Sequence, residues 1–138
     1  MNNVTNEHAT RVLVAEDSDD TRAVVAAILR DDGFDVVEAR SGVELLSRLG
    51  VGDLEPTNEG PIDLVISDVR MPKLDGIEAL AKARKAEVST PFILMSAYGG
   101  RGAQQRAREL RAVMFLKKPF SLFELRDAVR AILDPAWW

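Results

Sequence analysis

The sequence of 138 residues has no cysteine, which excludes disulfides, thiol catalysis and cysteine-ligated metals. Its one histidine, His8, lies in a polar N-terminal stretch and argues against a His-based triad or zinc site. No apolar run approaches the roughly 18 residues of a membrane span. The N-terminus lacks the basic-then-apolar pattern of a signal peptide, so a cytoplasmic location is the default expectation. There is no excess of positive charge. The net charge of −4 argues against a general nucleic-acid binder, which needs a basic face. Repeats and low-complexity tracts are missing too. What is left is 46% hydrophobic and fits one domain with a core of ordinary size.

The chain is organised around the stretch from Ile62 to Gly76. Leu64-Val65-Ile66 is apolar, rich in β-branched residues and too short for a helix, which predicts a strand buried on both faces. Asp68 is expected just past its end, within reach of solvent. Met71-Pro72 breaks any continuing structure. Asp75 then reads as an N-cap, with Glu78 three residues on. Strand, acid, loop and helix in that order mark the edge where open α/β sheets bind ligands.

The same alternation occurs five times. Residues 11–15 read as the first strand, ending in Glu16-Asp17. A helix follows over about 20–31, with Val24, Val25, Ile28 and Leu29 as its apolar stripe and Gly33 as its stop. Residues 35–39 form a second strand. Ser41 and Glu44 open the next helix as a capping box, and Leu45, Leu46 and Leu49 give it a buried side. Residues 50–61 are a loop, long for a compact α/β fold. Ile77, Leu80 and Ala81 face a third helix inward. Pro91 precedes a fourth strand over 92–95, which ends in Ser96-Ala97 and a glycine-rich segment with Tyr98. The helix over about 103–111 has one large apolar residue, Leu110, and is expected to be the least firmly packed. Residues 113–116 are a fifth strand, followed by Lys117-Lys118-Pro119. Ser121 and Glu124 cap a last helix lined by Leu125, Val129, Ile132 and Leu133. Short apolar strands alternating with helices predict a parallel sheet covered on both faces. Residues 1–10 are expected to be a flexible tail, 11–134 the domain and 135–138 a C-terminal tail that includes Trp137 and Trp138.

Polar residues recur at the strand ends: Glu16 and Asp17, Asp68, Ser96 and Lys118. In a parallel sheet these ends share one edge, so the side chains can converge. Three gathered carboxylates repel and call for a cation. Mg²⁺ suits a site with few protein oxygens and several waters. A carboxylate beside Mg²⁺, an ammonium and a hydroxyl can attack phosphorus and hold an acyl phosphate.

These motifs carry a family resemblance. Val-Leu-Val-Ala-Glu16-Asp17, Val-Ile-Ser-Asp68-Val-Arg-Met-Pro-Lys-Leu-Asp-Gly, Leu-Met-Ser96-Ala97 and Phe-Leu-Lys-Lys118-Pro-Phe resemble the receiver domains of bacterial two-component response regulators, over about 11–133. The resemblance implies a flavodoxin-like (βα)5 doubly wound sheet of order 2-1-3-4-5. It implies Asp68 as phosphoacceptor, and Glu16, Asp17, Asp68 and the Arg70 backbone carbonyl around Mg²⁺. Ser96 and Lys118 would contact the phosphoryl group, with Ser96 and Phe115 as the switch pair. Arg70 and Tyr98 would modulate dephosphorylation. The implied donor is a histidine kinase or histidine phosphotransfer protein. The implied output is a protein target or a homodimer, reached through the face of the fourth and fifth strands and helices. Neither direct nucleic-acid binding nor a membrane is expected. Two departures stand out in the motifs. Glu16 replaces the commoner Asp, and Arg111-Ala112 replaces the usual Gly-Ala before the fifth strand. Two other readings weigh less. A haloacid-dehalogenase-type phosphatase would want an acid where Arg70 stands, and a degenerate receiver would not retain all five site groups. The reading is therefore a phospho-accepting signalling domain and not an enzyme.

Overall fold

The structure, a computed structural model, describes residues 9–52, 60–97 and 101–133, without the side chain of Arg101. The expectations for the terminal tails, the middle of the 50–61 loop, Tyr98 and the tryptophan pair lie outside these residues. Ten elements alternate: β1 (Arg11–Ala15), α1 (Asp19–Asp31), β2 (Asp35–Ala39), α2 (Gly42–Arg48), β3 (Leu64–Asp68), α3 (Gly76–Lys85), β4 (Phe92–Ser96), α4 (Arg101–Glu109), β5 (Met114–Lys117) and α5 (Leu122–Leu133). The strands form one parallel sheet of order β2-β1-β3-β4-β5.

Strand side chains alternate between two cores, as the period of two requires. Val12, Val14, Ile66, Ile93 and Met95 pack with Val25 and Leu29 of α1 and Leu125 and Val129 of α5. Leu13, Ala15, Val65, Phe92 and Leu94 pack with Leu45 of α2, Leu80 of α3 and Ala107 of α4. Both faces of the central strands are therefore buried, which explains their unbroken apolar runs.

The helix starts follow their caps. Ser18 accepts from the Thr21 N–H, which starts α1 at Asp19, one residue earlier than the periodicity suggests. Asp75 and Glu78 exchange reciprocal bonds, as do Ser121 and Glu124. Gly33, at φ 95°, ends α1 as expected.

Three packing expectations are corrected. Val24 is 55% exposed, because Arg22 and Ala26 take places on the buried stripe of α1. On α3 it is Ala79 and Ala83 that are fully buried, and Ala81 is half-buried. Val113 precedes β5 and is exposed, since it continues from the turn that closes α4. Among the described side chains of α4 only Ala107 is buried, in keeping with a lightly packed helix.

Arg84 ties the far edge together. From α3 it donates to the carbonyls of Val88, Thr90 and Leu110 at 2.8–2.9 Å and of Arg111 at 3.2 Å. Burial, and then the charge of Arg111, pull its pKa below the ordinary arginine value.

Candidate functional site

The sheet register brings the expected residues to one edge. Ala15 pairs with Ser67, Asp68 with Met95, and Ser96 with Lys117. The ladder extends one step beyond the strands. The Glu16 N–H donates to the Ala39 carbonyl (3.0 Å), that of Val69 to Met95 (2.9 Å), and that of Lys118 to Ser96 (2.8 Å). Glu16, Asp68, Ser96 and Lys118 are thus placed by sheet hydrogen bonds and not by loop conformation.

Asp68 is the last residue of β3 and not a residue beyond it. It is largely buried, so its carboxylate meets solvent only through a cleft. Glu16 is deeper, at 1% exposure. Its Oε1 accepts from Lys118 Nζ at 2.8 Å, and its Oε2 from the Ser18 N–H at 3.1 Å. Lys118 Nζ also lies 3.3 Å from Asp68 Oδ2. One ammonium therefore bridges two buried carboxylates. Burial is the largest single influence on Lys118 and disfavours its charge. The hydrogen bonds and charges of Glu16 and Asp68 together outweigh it and raise the pKa above the ordinary lysine value.

Asp17 completes the acidic group from the exposed side. One carboxylate oxygen from each of Glu16, Asp17 and Asp68 lies within 4.8 Å of the others. An all-oxygen donor set of this compactness suits a hard divalent cation. These residues fit the Mg²⁺ that the sequence implies. The cleft above them has a volume of about 310 Å³ and is also walled by Thr21, Arg70 and Ala97. Ser96 is buried at the end of β4, and Phe115 is half-buried on β5, against the α3/α4 side of the core.

The loop after Asp68 is shaped by close approaches. The Gly76 N–H donates to the Val69 carbonyl at 2.8 Å. A Cβ at Gly76 would collide with the Asp68 carbonyl and Ser67 Oγ. A Cβ on Gly42, at the start of α2, would collide with the Leu74 carbonyl. Between them Lys73 adopts φ 70° in a tight turn closed by Leu74 N–H to Pro72 carbonyl, 2.8 Å.

Sequence reasoning missed Arg22. It is 6% exposed, and its guanidinium reaches the β1–α1 loop, β2 and the start of α1. The signal was available: Arg22, Val25, Ala26 and Leu29 fall at i, i+3, i+4 and i+7, which puts the arginine on the buried stripe.

The family model of the response regulator receiver domain matches residues 12–130. The chain is 36% identical over 120 residues to Transcriptional regulatory protein PdtaR of Mycobacterium tuberculosis, covering 86% of this chain and 54% of that protein. It thus spans about half the length of that relative. It is 31% identical to Sporulation initiation phosphotransferase F of Bacillus subtilis, covering 89% of this chain and 93% of that one. The CheX-CheY-BeF3-Mg²⁺ complex of Borrelia burgdorferi contains a similar fold, with a TM-score of 0.79 at 25% identity, covering 89% of this chain and 88% of the other. The fold, the acidic edge and these likenesses agree: the chain belongs to the response regulator receiver domain family and is a phosphorelay receiver.

Proposed function

We propose that Asp68 accepts a phosphoryl group from a histidine kinase or histidine phosphotransfer protein. The observation that carries this reading is the bridge from Lys118 to both Glu16 and Asp68, with the three carboxylates grouped beside it. An Asp68 oxygen attacks phosphorus as the P–N bond of a phosphohistidine breaks. The bonding pair stays on the imidazole nitrogen, which takes a proton. A divalent cation held by Glu16, Asp17, Asp68 and the Arg70 carbonyl would offset charge on the transferring oxygens. Lys118 exchanges its contact with Asp68 for one with a phosphoryl oxygen, and the Ser96 hydroxyl donates to another. Phe115 follows Ser96. Arg70, which walls the cleft, and Tyr98 retard hydrolysis of the acyl phosphate. The BeF3 and Mg²⁺ of the Borrelia complex support this reading by analogy.

The donor protein approaches over α1 and the start of α5. An apolar groove there, with Val24, Pro119, Phe120 and Leu122 on its walls, adjoins the cleft at Thr21, Ala97 and Lys118. The output face is that of β4, α4, β5 and α5, which meets a protein target or a second copy. The receiver domain runs over 11–134 between two tails and acts in the cytoplasm as a phospho-accepting signalling module that assists its own phosphorylation and dephosphorylation. No described helix is long and apolar enough to cross a membrane.

The test is labelling by acetyl phosphate or a phosphohistidine donor with Mg²⁺. Wild type should gain an acid-labile label that Asp68→Ala lacks. A label retained by the variant sinks the assignment.

A further inference from the structure

We propose that Arg22 is a positioning residue that aims Asp17 at the cation; this rests on the receiver reading above. Glu16 needs no such help, because Lys118 and the Ser18 N–H hold its carboxylate directly. Asp17 is exposed, and its direction depends on the peptide that carries it. That peptide leaves the sheet at Glu16, whose N–H is still bonded to the Ala39 carbonyl of β2 although the β1–β2 register ends one residue earlier, at Ala15 and Ala39. Arg22 Nη1 donates to the Glu16 carbonyl at 2.8 Å in a buried bond. The bond fixes the plane of the Glu16–Asp17 peptide, and hence where the Asp17 Cβ points.

The guanidinium is itself fixed on its other sides. Nε donates to Glu38 Oε1 at 3.1 Å, and Nη2 to Asp19 Oδ1 at 2.6 Å. Glu38 belongs to β2 and is also bonded by Arg30 at 3.2 Å. Three divergent contacts from one planar fork are something a lysine cannot reproduce. The cation loop is therefore braced against the neighbouring strand through Arg22, behind the carboxylates and out of the cleft.

Support shells of this kind typically change metal affinity by about 10–100-fold when removed. The experiment titrates Mg²⁺ into wild type, Arg22→Lys, Glu38→Ala and Arg84→Lys, with urea unfolding of each in EDTA. Arg22→Lys should weaken Mg²⁺ binding by at least about tenfold at a temperature where the protein is folded. Glu38→Ala, a milder change should Arg22→Lys not fold, should weaken it severalfold. Arg84→Lys also removes a carbonyl-binding arginine, but at the opposite edge of the sheet. It should lower stability and leave Mg²⁺ affinity at the wild-type value. Unchanged affinity in Glu38→Ala and in folded Arg22→Lys overturns the proposal alone. So does an equal loss in Arg84→Lys, which would mean that general loosening is responsible. Wild type that neither binds Mg²⁺ nor gains the Asp68 label overturns the receiver reading, and this inference with it.

Discussion

Lys118 and Glu16 are 102 positions apart in sequence and 2.8 Å apart in the fold. The pair closes the sheet edge from β1 to the β5–α5 connection, across Asp68. It also leaves the carboxylates of Glu16 and Asp68 partly charge-compensated before any metal binds. Removing Lys118 would strand a buried Glu16 beside Asp68.

Lys118→Met should therefore cost stability in EDTA by roughly 1–3 kcal/mol, less than a fully buried pair would, because Lys118 stays partly solvated. Mg²⁺ then becomes the main source of positive charge. Its addition should stabilise the variant more than wild type and narrow the gap between their urea midpoints. A gap that Mg²⁺ does not change would show that Lys118 acts by packing and not by charge.

Gly76→Ala should be the most damaging single methyl near the site. The added carbon meets the Asp68 carbonyl and Ser67 Oγ, and the carbonyl cannot retreat without moving β3. A loss of about 1–3 kcal/mol is expected, together with slower labelling of Asp68. Gly102→Ala is the matched contrast. Its Cβ would meet nothing, and it lies in α4, so a gain of about 0.5–1 kcal/mol is expected. Thermal or urea melts of the two variants decide both.

Arg111 stands where the family usually has glycine, and its φ is 62°. The left-handed conformation costs a non-glycine residue about 1–2 kcal/mol. Glycine removes that cost and adds back about 0.5–1 kcal/mol of unfolded-state entropy. Arg111→Gly should raise stability by up to about 1 kcal/mol. The carbonyl that Arg84 uses is retained. A destabilised variant would show that the Arg111 side chain contributes more than its backbone costs.

Beryllofluoride should change hydrogen exchange beyond Asp68. With one buried side chain among those described, α4 has little packing to lose, and it should respond together with β5. Changes confined to the vicinity of Asp68, with residues 101–120 unaltered, would remove the proposed output face.

The sequence was most legible where one physical rule governed a stretch. Apolar runs gave the strands, caps gave the starts of α2, α3 and α5, and parallel strand ends gave the acidic edge. It was less legible where a side chain's partner lies far away in sequence. Arginine on an amphipathic helix is normally solvent-facing, so Arg22 was missed, although its spacing from Ala26 and Leu29 placed it inward. The bridge from Lys118 could not be derived by periodicity either. Lys118 was read at this edge as a positive charge beside the metal, but its direct bridge between Glu16 and Asp68 was not. Val24 was misplaced because a stripe wider than the buried face leaves one edge exposed, here on the wall of the groove beside the cleft.

Arg84 has a mechanical consequence. By holding the Leu110 and Arg111 carbonyls it fastens the C-terminal end of α4 to α3. A rod fastened at one end can swing but not slide. At about 1.5 Å per residue the nine residues of α4 make a lever of roughly 13 Å. A tilt of about 10° would carry the end nearest Ser96 through roughly 2 Å and barely move the end at Arg84. Displacement would be graded along the helix, so a partner reading its first turn would sense a change that one reading its last turn would not.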